Sequence, residues 1–210
     1  GGPSKNHEKT KSLMISDPET FSRLLEKLAR ISATFIDVQL SAGASAFQLF
    51  DSWAGSLSLP DYQEHVAPHS AAALESVADL PVPRIHFGTG TGDLLAAMRD
   101  AGAEAVGVDH RLSLSEAVRR VGHGTVLQGN IDPALLAAPW EVLEAHVRDV
   151  VASGAVAPGH VVNLAHGVPP ETDAAVLTRV VELIHSLPVP EREGQDPAPG
   201  AETAEREERA

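Results

Sequence analysis

A chain of 210 residues, 43% of them hydrophobic, is long enough to bury a core of its own, and its length fits one domain or slightly more. The formal charge of −13 argues against nucleic acid as the main partner, because phosphate binding needs a basic face. No cysteine is present, which excludes disulfides and zinc–thiolate sites, and no stretch reaches the roughly 18 to 20 unbroken apolar residues of a membrane helix.

The polar start leads to the expectation of no secretory signal, and Gly1 in place of Met is expected of a processed, engineered or partial chain. A cytoplasmic location is the corresponding expectation. Ser16-Asp17-Pro18-Glu19 bears the marks of a helix start: a cap, a proline in the first turn and an acid three residues after the serine. Phe21, Leu24, Leu25, Leu28, Ile31, Phe35 and Val38 follow at helical spacing and predict a helix ending near Gly43. Residues 47–50 read as a strand and 60–78 as a second helix. The rhythm then repeats as strand 85–87 with helix 93–101, strand 105–108 with helix 115–121, strand 126–128 with helix 139–152, and strand 161–164 with helix 172–186. The acidic end, with seven acids against three arginines over 191–210 and prolines at 188, 190, 197 and 199, reads as a disordered tail over 188–210.

Five short apolar strands alternating with helices predict a parallel sheet covered by helices. A doubly wound sheet or a (β/α)8 barrel would both give this pattern. Polar and glycine residues gather just after the strands, at Asp51-Ser52-Trp53-Ala54-Gly55, Gly88-Thr89-Gly90-Thr91-Gly92, Asp109-His110, Gly129-Asn130-Ile131-Asp132 and His166-Gly167, where α/β folds of both kinds place their sites. A barrel needs eight strands, so the expectation is a partial (β/α)8 TIM barrel over 1–187, about its last five βα units, with the first three strands missing.

Read locally, Gly88-Thr89-Gly90-Thr91-Gly92 follows a strand and opens a helix, and Asp109 ends the next strand about 20 residues on. That spacing is close to a dinucleotide fingerprint and closer to class I S-adenosylmethionine methyltransferases, in which the acid binds ribose hydroxyls. The other reading is a glycine-rich βα loop of a barrel. His86 stands where those methyltransferases usually carry an acid.

Four segments bear a resemblance of another kind: Gly1-Gly2-Pro3-Ser4-Lys5, Phe50-Asp51-Ser52-Trp53-Ala54-Gly55, Leu127-Gln128-Gly129-Asn130-Ile131-Asp132-Pro133 and Asn163-Leu164-Ala165-His166-Gly167-Val168. In their order and spacing they resemble the uroporphyrinogen decarboxylase family, from Gly1 to about Leu187. The glycine loop fits as well, since bacterial members carry a similar His-Phe-Gly segment there. Ala165 stands where the family usually has Gly, and His110 where it usually has Trp. The resemblance implies a (β/α)8 barrel, usually a homodimer, that takes a small-molecule substrate, uroporphyrinogen III, and removes four acetate carboxyl groups to give coproporphyrinogen III in haem biosynthesis. It implies no metal and no organic cofactor, no membrane and no nucleic acid. The family's catalytic Asp, its carboxylate-binding Arg residues and its Tyr before the Gly-Gly-x-Ser segment would all lie upstream of Gly1. The ligand-contacting positions that do map are Ser52 and His166.

Each candidate also has a plain structural role. Taken without its motif Ser52 reads as a turn cap, and the plain role of His166 is that of a satisfied structural histidine. Asp109, Gln128, Asn130 and Asp132 read as residues that fix loops through the backbone. Trp53 and Trp140 read as packing residues, and Lys5, Lys9 and Lys11 as a solvated charge run. A zinc site at His86, of the His-x-Cys kind used by related cobalamin methyltransferases, lacks its cysteine, because position 88 is Gly. Two further functions stand beside the decarboxylase: the methyltransferase on Gly88–Gly92 and Asp109, and a fragment with no activity of its own that folds with a complementary half.

Overall fold

The structure, a computed structural model, describes residues 6–188. Five parallel strands, β1 (Phe47–Phe50), β2 (Arg84–Phe87), β3 (Ala105–Gly107), β4 (Val126–Ile131) and β5 (His160–Leu164), lie side by side in chain order. Two helices, α1 (Glu8–Ser16) and α2 (Pro18–Ser41), precede the sheet; α3 (Leu59–His65) and α4 (Ala67–Glu75) follow β1. The remaining strands are followed by α5 (Leu95–Asp100), α6 (Leu114–Val121), α7 (Trp140–Gly154) and α8 (Ala174–Ser186) in turn. A doubly wound sheet reverses its strand order at a switch point; this sheet has no reversal, as in the successive βα units of TIM-barrel-like folds.

Side chains alternate between the two faces of each strand, and the pairing register carries that alternation across the sheet. Leu49, His86, Val106 and Leu127 share one row, and with Phe47, Ile131 and Leu164 they face the helices. There they meet Leu74, Leu95, Leu114, Leu143, Val147 and Val180 in the main core. The opposite face presents Gln48, Phe50, Ile85, Phe87, Gly107, Gln128, Val161 and Asn163, and among the described residues no helix covers it. Gly107 is demanded here by its neighbour, since a Cβ would stand 2.5 Å from Cδ2 of Phe87.

Local chemistry sets the helix starts. The Asp17 carboxylate accepts the Thr20 N–H at 3.1 Å, Ser113 accepts the Glu116 N–H at 3.2 Å and Asp173 the Ala175 N–H at 2.9 Å. The expected helix over 60–78 is instead two helices that part at Val66. Pro68 cannot donate to the turn before it, so its ring opens a new helix and does not continue the old one. A helix over 8–16 was not expected, because its apolar residues, Leu13 to Ile15, are contiguous and bury only Met14. Strand β4 runs three residues beyond its expected end, through Gly129 and Asn130, which read as loop. The segment Gly1–Lys5 and all but Pro188 of the expected acidic tail lie outside the described residues.

His160, at the start of β5, packs its ring against Gly154 of α7 and donates from Nε2 to the Gly129 carbonyl at 2.6 Å. Burial pushes this imidazole below its ordinary value, although the Gly129 contact pulls the other way. A folded value below the unfolded one means that the unfolded chain takes up the proton first. The neutral ring's contribution is therefore complete above about pH 6.5 and is lost as the pH falls from there towards the lowered folded value. Denaturant unfolding between pH 7.5 and 5.5 is expected to show a loss of stability that His160→Gln lacks. Parallel pH dependences for the two chains would exclude this role.

Candidate functional site

The uncovered face leads, at the strand ends, into a cleft of about 340 Å³. Its walls include Gln48, Phe50, Ser52, Phe87, Gln128, Asn163 and His166. The first and last strands thus bring Ser52 and His166, 114 positions apart in the chain, to one opening. Among the described residues no Asp or Glu lines it, although the chain as a whole is strongly acidic. Gln128 donates from Nε2 to Gln48 Oε1 at 2.8 Å across the floor, and Phe50, 66% exposed, meets Phe87 edge-on. Phe50 and Asn163 entered the sequence reading only as members of motifs, and Gln48 not at all; their period-2 spacing with Ser52 and along β5 was the available signal.

Ser52 sits on a turn stitched to the neighbouring unit. The Asp51 N–H donates to the Phe87 carbonyl at 2.7 Å, and the Ser52 carbonyl accepts from Thr89 twice, from its N–H at 3.3 Å and its Oγ1 at 2.5 Å. The Asp51 side chain turns away from the cleft towards Ser70 Oγ at 3.4 Å and His86 Nε2 at 3.5 Å. His86 is fully buried, and its Nδ1 lies 3.2 Å from the Met98 carbonyl. A carbonyl can only accept, so Nδ1 carries the hydrogen, and Nε2 faces the carboxylate within ion-pair reach but without hydrogen-bond alignment. The buried Tyr62 hydroxyl is beside the same carboxylate, and burial first, then the Asp51 charge, pushes that phenol up. His86 is therefore a fixture behind the Ser52 turn. Among the described residues no group of three or more His, Asp or Glu could hold a metal ion.

The glycine loop is closed from both sides. Gly55 of the Ser52 turn lies on the peptides of Thr89 and Gly90, where even a Cβ would collide. The Asp109 carboxylate accepts the Gly90 N–H, the Arg111 N–H at 3.0 Å and the Arg111 guanidinium at 2.6 Å. Burial raises the Asp109 carboxyl, but these donors outweigh it and hold it below the usual carboxylate range. The Gly90 N–H and the Asp109 carboxylate, on which a methyltransferase reading would rest, are thus already engaged within the protein. Asn130 donates to the Asp109 and Leu112 carbonyls at 2.9 and 2.6 Å, and Asp132 accepts the Ala134 N–H at 2.9 Å, both as loop fixtures. Gln128 differs from that expectation in reaching the cleft. Trp53 is two-thirds exposed beside His7, whereas Trp140 packs under the Arg179 guanidinium at 3.7 Å. Lys9 is exposed, and Lys11 lines a separate hollow with His7 and Trp53.

The family described as Uroporphyrinogen decarboxylase (URO-D) matches residues 1–187. A protein of Arthrobacter sp. (strain FB24) named uroporphyrinogen decarboxylase is 63% identical over 187 residues, covering 89% of this chain and 54% of that protein. One of the same name from Salinispora tropica is 60% identical over 187 residues, covering 89% and 50%. The chain spans about half the length of the curated relatives it matches. Among solved structures, a methyltransferase from Methanosarcina mazei superposes with a TM-score of 0.75 at 18% identity, covering 84% of this chain and 52% of that one. At that identity the likeness is one of fold.

Proposed function

The chain belongs to the uroporphyrinogen decarboxylase family, and from that premise we propose that it is part of an enzyme that converts uroporphyrinogen III to coproporphyrinogen III by removing four acetate carboxyl groups. Its sheet would be an arc of a (β/α)8 barrel whose other strands belong to the half of the family's length that this chain does not span. The same proposal includes a cytoplasmic homodimer that works without metal or organic cofactor, in haem biosynthesis.

The chemistry asks little of a cofactor. Protonation of a pyrrole carbon makes the ring an electron acceptor; the bond to the departing carboxylate then breaks, carbon dioxide leaves, a second proton completes the methyl group, and the ring carbon gives its proton back to restore the pyrrole. The protein has to bind carboxylates, hold the ring and manage protons. One observation carries the assignment of this chain's part: Ser52 and His166 open on a single cleft that has hydrogen-bond donors and no acidic wall. Local field, and not net charge, governs the approach of an anionic ligand, so an acidic chain can present such a cleft to eight carboxylates. Ser52 and His166 are binders in this reading, and the proton-handling Asp lies outside 1–210.

In the whole protein that carries this chain, Ser52→Ala and His166→Ala are each expected to raise KM for uroporphyrinogen about 10- to 100-fold, the effect of removing a hydrogen bond to a charged group. Turnover at saturation should change far less. Anaerobic kinetics with product separation would measure both. A collapse of kcat with KM unchanged would remove these residues from the role of binders.

A further inference from the structure

We propose that Asn163 is a third ligand-contacting residue of the cleft, offering a fixed two-donor amide to a carboxylate of the bound molecule. Asn163 lies on the uncovered face of β5, opposite Asn130 in the pairing register, and is exposed in the wall that holds Ser52 and His166. Its Oδ1 accepts the Leu164 N–H at 2.8 Å. A backbone N–H can be met only by the oxygen of an amide, so that bond settles which way the side chain faces. Both hydrogens of Nδ2 are left without a protein partner among the described residues and border the cleft.

The register partner gives the contrast. Asn130 Nδ2 is saturated by two backbone carbonyls, of Asp109 and Leu112, and is buried. Two asparagines side by side on neighbouring strands therefore do different work: one ties a loop, and the other keeps its donors open. A neutral amide suits the second task, because it donates at every pH and adds no charge to be neutralised when the cleft is empty. The ligand chemistry is a carboxylate, since the unmatched groups are donors and no acid among the described residues lines the cleft. That this carboxylate belongs to a tetrapyrrole rests on the proposed function.

Asn163→Asp separates the roles. It keeps an oxygen for the Leu164 N–H and replaces the donating nitrogen with an anionic oxygen. Fluorescence titration of the whole protein with uroporphyrin, the stable oxidised octacarboxylate, is expected to show more than tenfold weaker binding by Asn163→Asp and a smaller loss in Asn163→Ala. A tetracationic N-methylpyridyl porphyrin should bind Asn163→Asp more tightly than wild type, a reversal that a structural role would not give. If Ser52→Ala weakens uroporphyrin binding while Asn163→Asp leaves it unchanged, this inference fails and the proposed function stands. If wild type ignores uroporphyrin but binds tricarballylate with the same sensitivity to Asn163→Asp, the carboxylate contact stands and the tetrapyrrole reading fails. Binding of neither probe overturns both.

Discussion

Gly55→Ala is expected to destabilise the protein by about 3 kcal/mol, at the upper end of the range for overpacking, because its methyl group meets main chain and not a movable side chain. The Cβ would fall on the Thr89 carbonyl oxygen and within 2.6 Å of both carbonyl atoms of Gly90. Something must shift, and both candidates are tied. The Ser52 turn is held to β2 by the Asp51 N–H and to Thr89 by two contacts on the Ser52 carbonyl; the loop is held to the segment after β3 by the Gly90 N–H on Asp109. Moving either one breaks bonds that place Ser52, so the variant should also lose affinity for a carboxylate ligand. Gly124→Ala is the control: nothing lies within 4 Å of its Cβ and its backbone is not in the left-handed region, so a change within about 0.5 kcal/mol is expected. Denaturant midpoints measure both. Equal midpoints for Gly55→Ala and Gly124→Ala would show that the two loops do not bear on each other.

That joint explains what could and could not be read from the residues alone. Strand 47–50 and the paired motifs around Ser52 and His166 are local patterns, and the structure places them in one cleft as their positions after β1 and β5 required. The glycine loop has the local pattern of a nucleotide cradle, and within residues 85–109 only His86, where an acid is usual, sets it apart from one. What closes it is Gly55, from another βα unit, together with Arg111 turning back on Asp109. His86 is a similar case: its meaning comes from Asp51 and Met98, on two different elements. Asn163 was visible as part of a motif, but the direction of its amide depends on one backbone bond that composition and spacing do not record. The helix break at Val66 was there to be seen in Pro68, and the apolar spacing on either side concealed it.

The largest expected effect concerns the chain by itself: its 210 residues should give no coproporphyrinogen above background, whereas the whole protein of the proposed function should. Among the described residues, nothing pairs with the outer edge of β1 or of β5, and no helix covers the sheet face that carries Phe50, Ile85 and Val161 beside Gln48 and Asn163. Helix α2 leaves Leu24, Leu28, Ile31, Phe35 and Val38, at alternating spacings of four and three, between 44% and 65% exposed. Open parallel edges beside an apolar stripe favour association over an ordered site. Among the described residues, the ionisable side chain on the cleft wall is His166, and no acid lines it. Removing one preorganised charged group from an active site commonly costs about 100- to 1000-fold in rate, and here the whole set of acid and arginines is expected to lie elsewhere in the protein. An anaerobic assay of the purified chain, alone and mixed with the remaining part of the protein, distinguishes the cases. Recovery of product only on mixing would show that the two parts complete one site. Steady turnover by the lone chain would place the catalytic group within 1–210, and Ser52 and His166 could then no longer be described as binders alone.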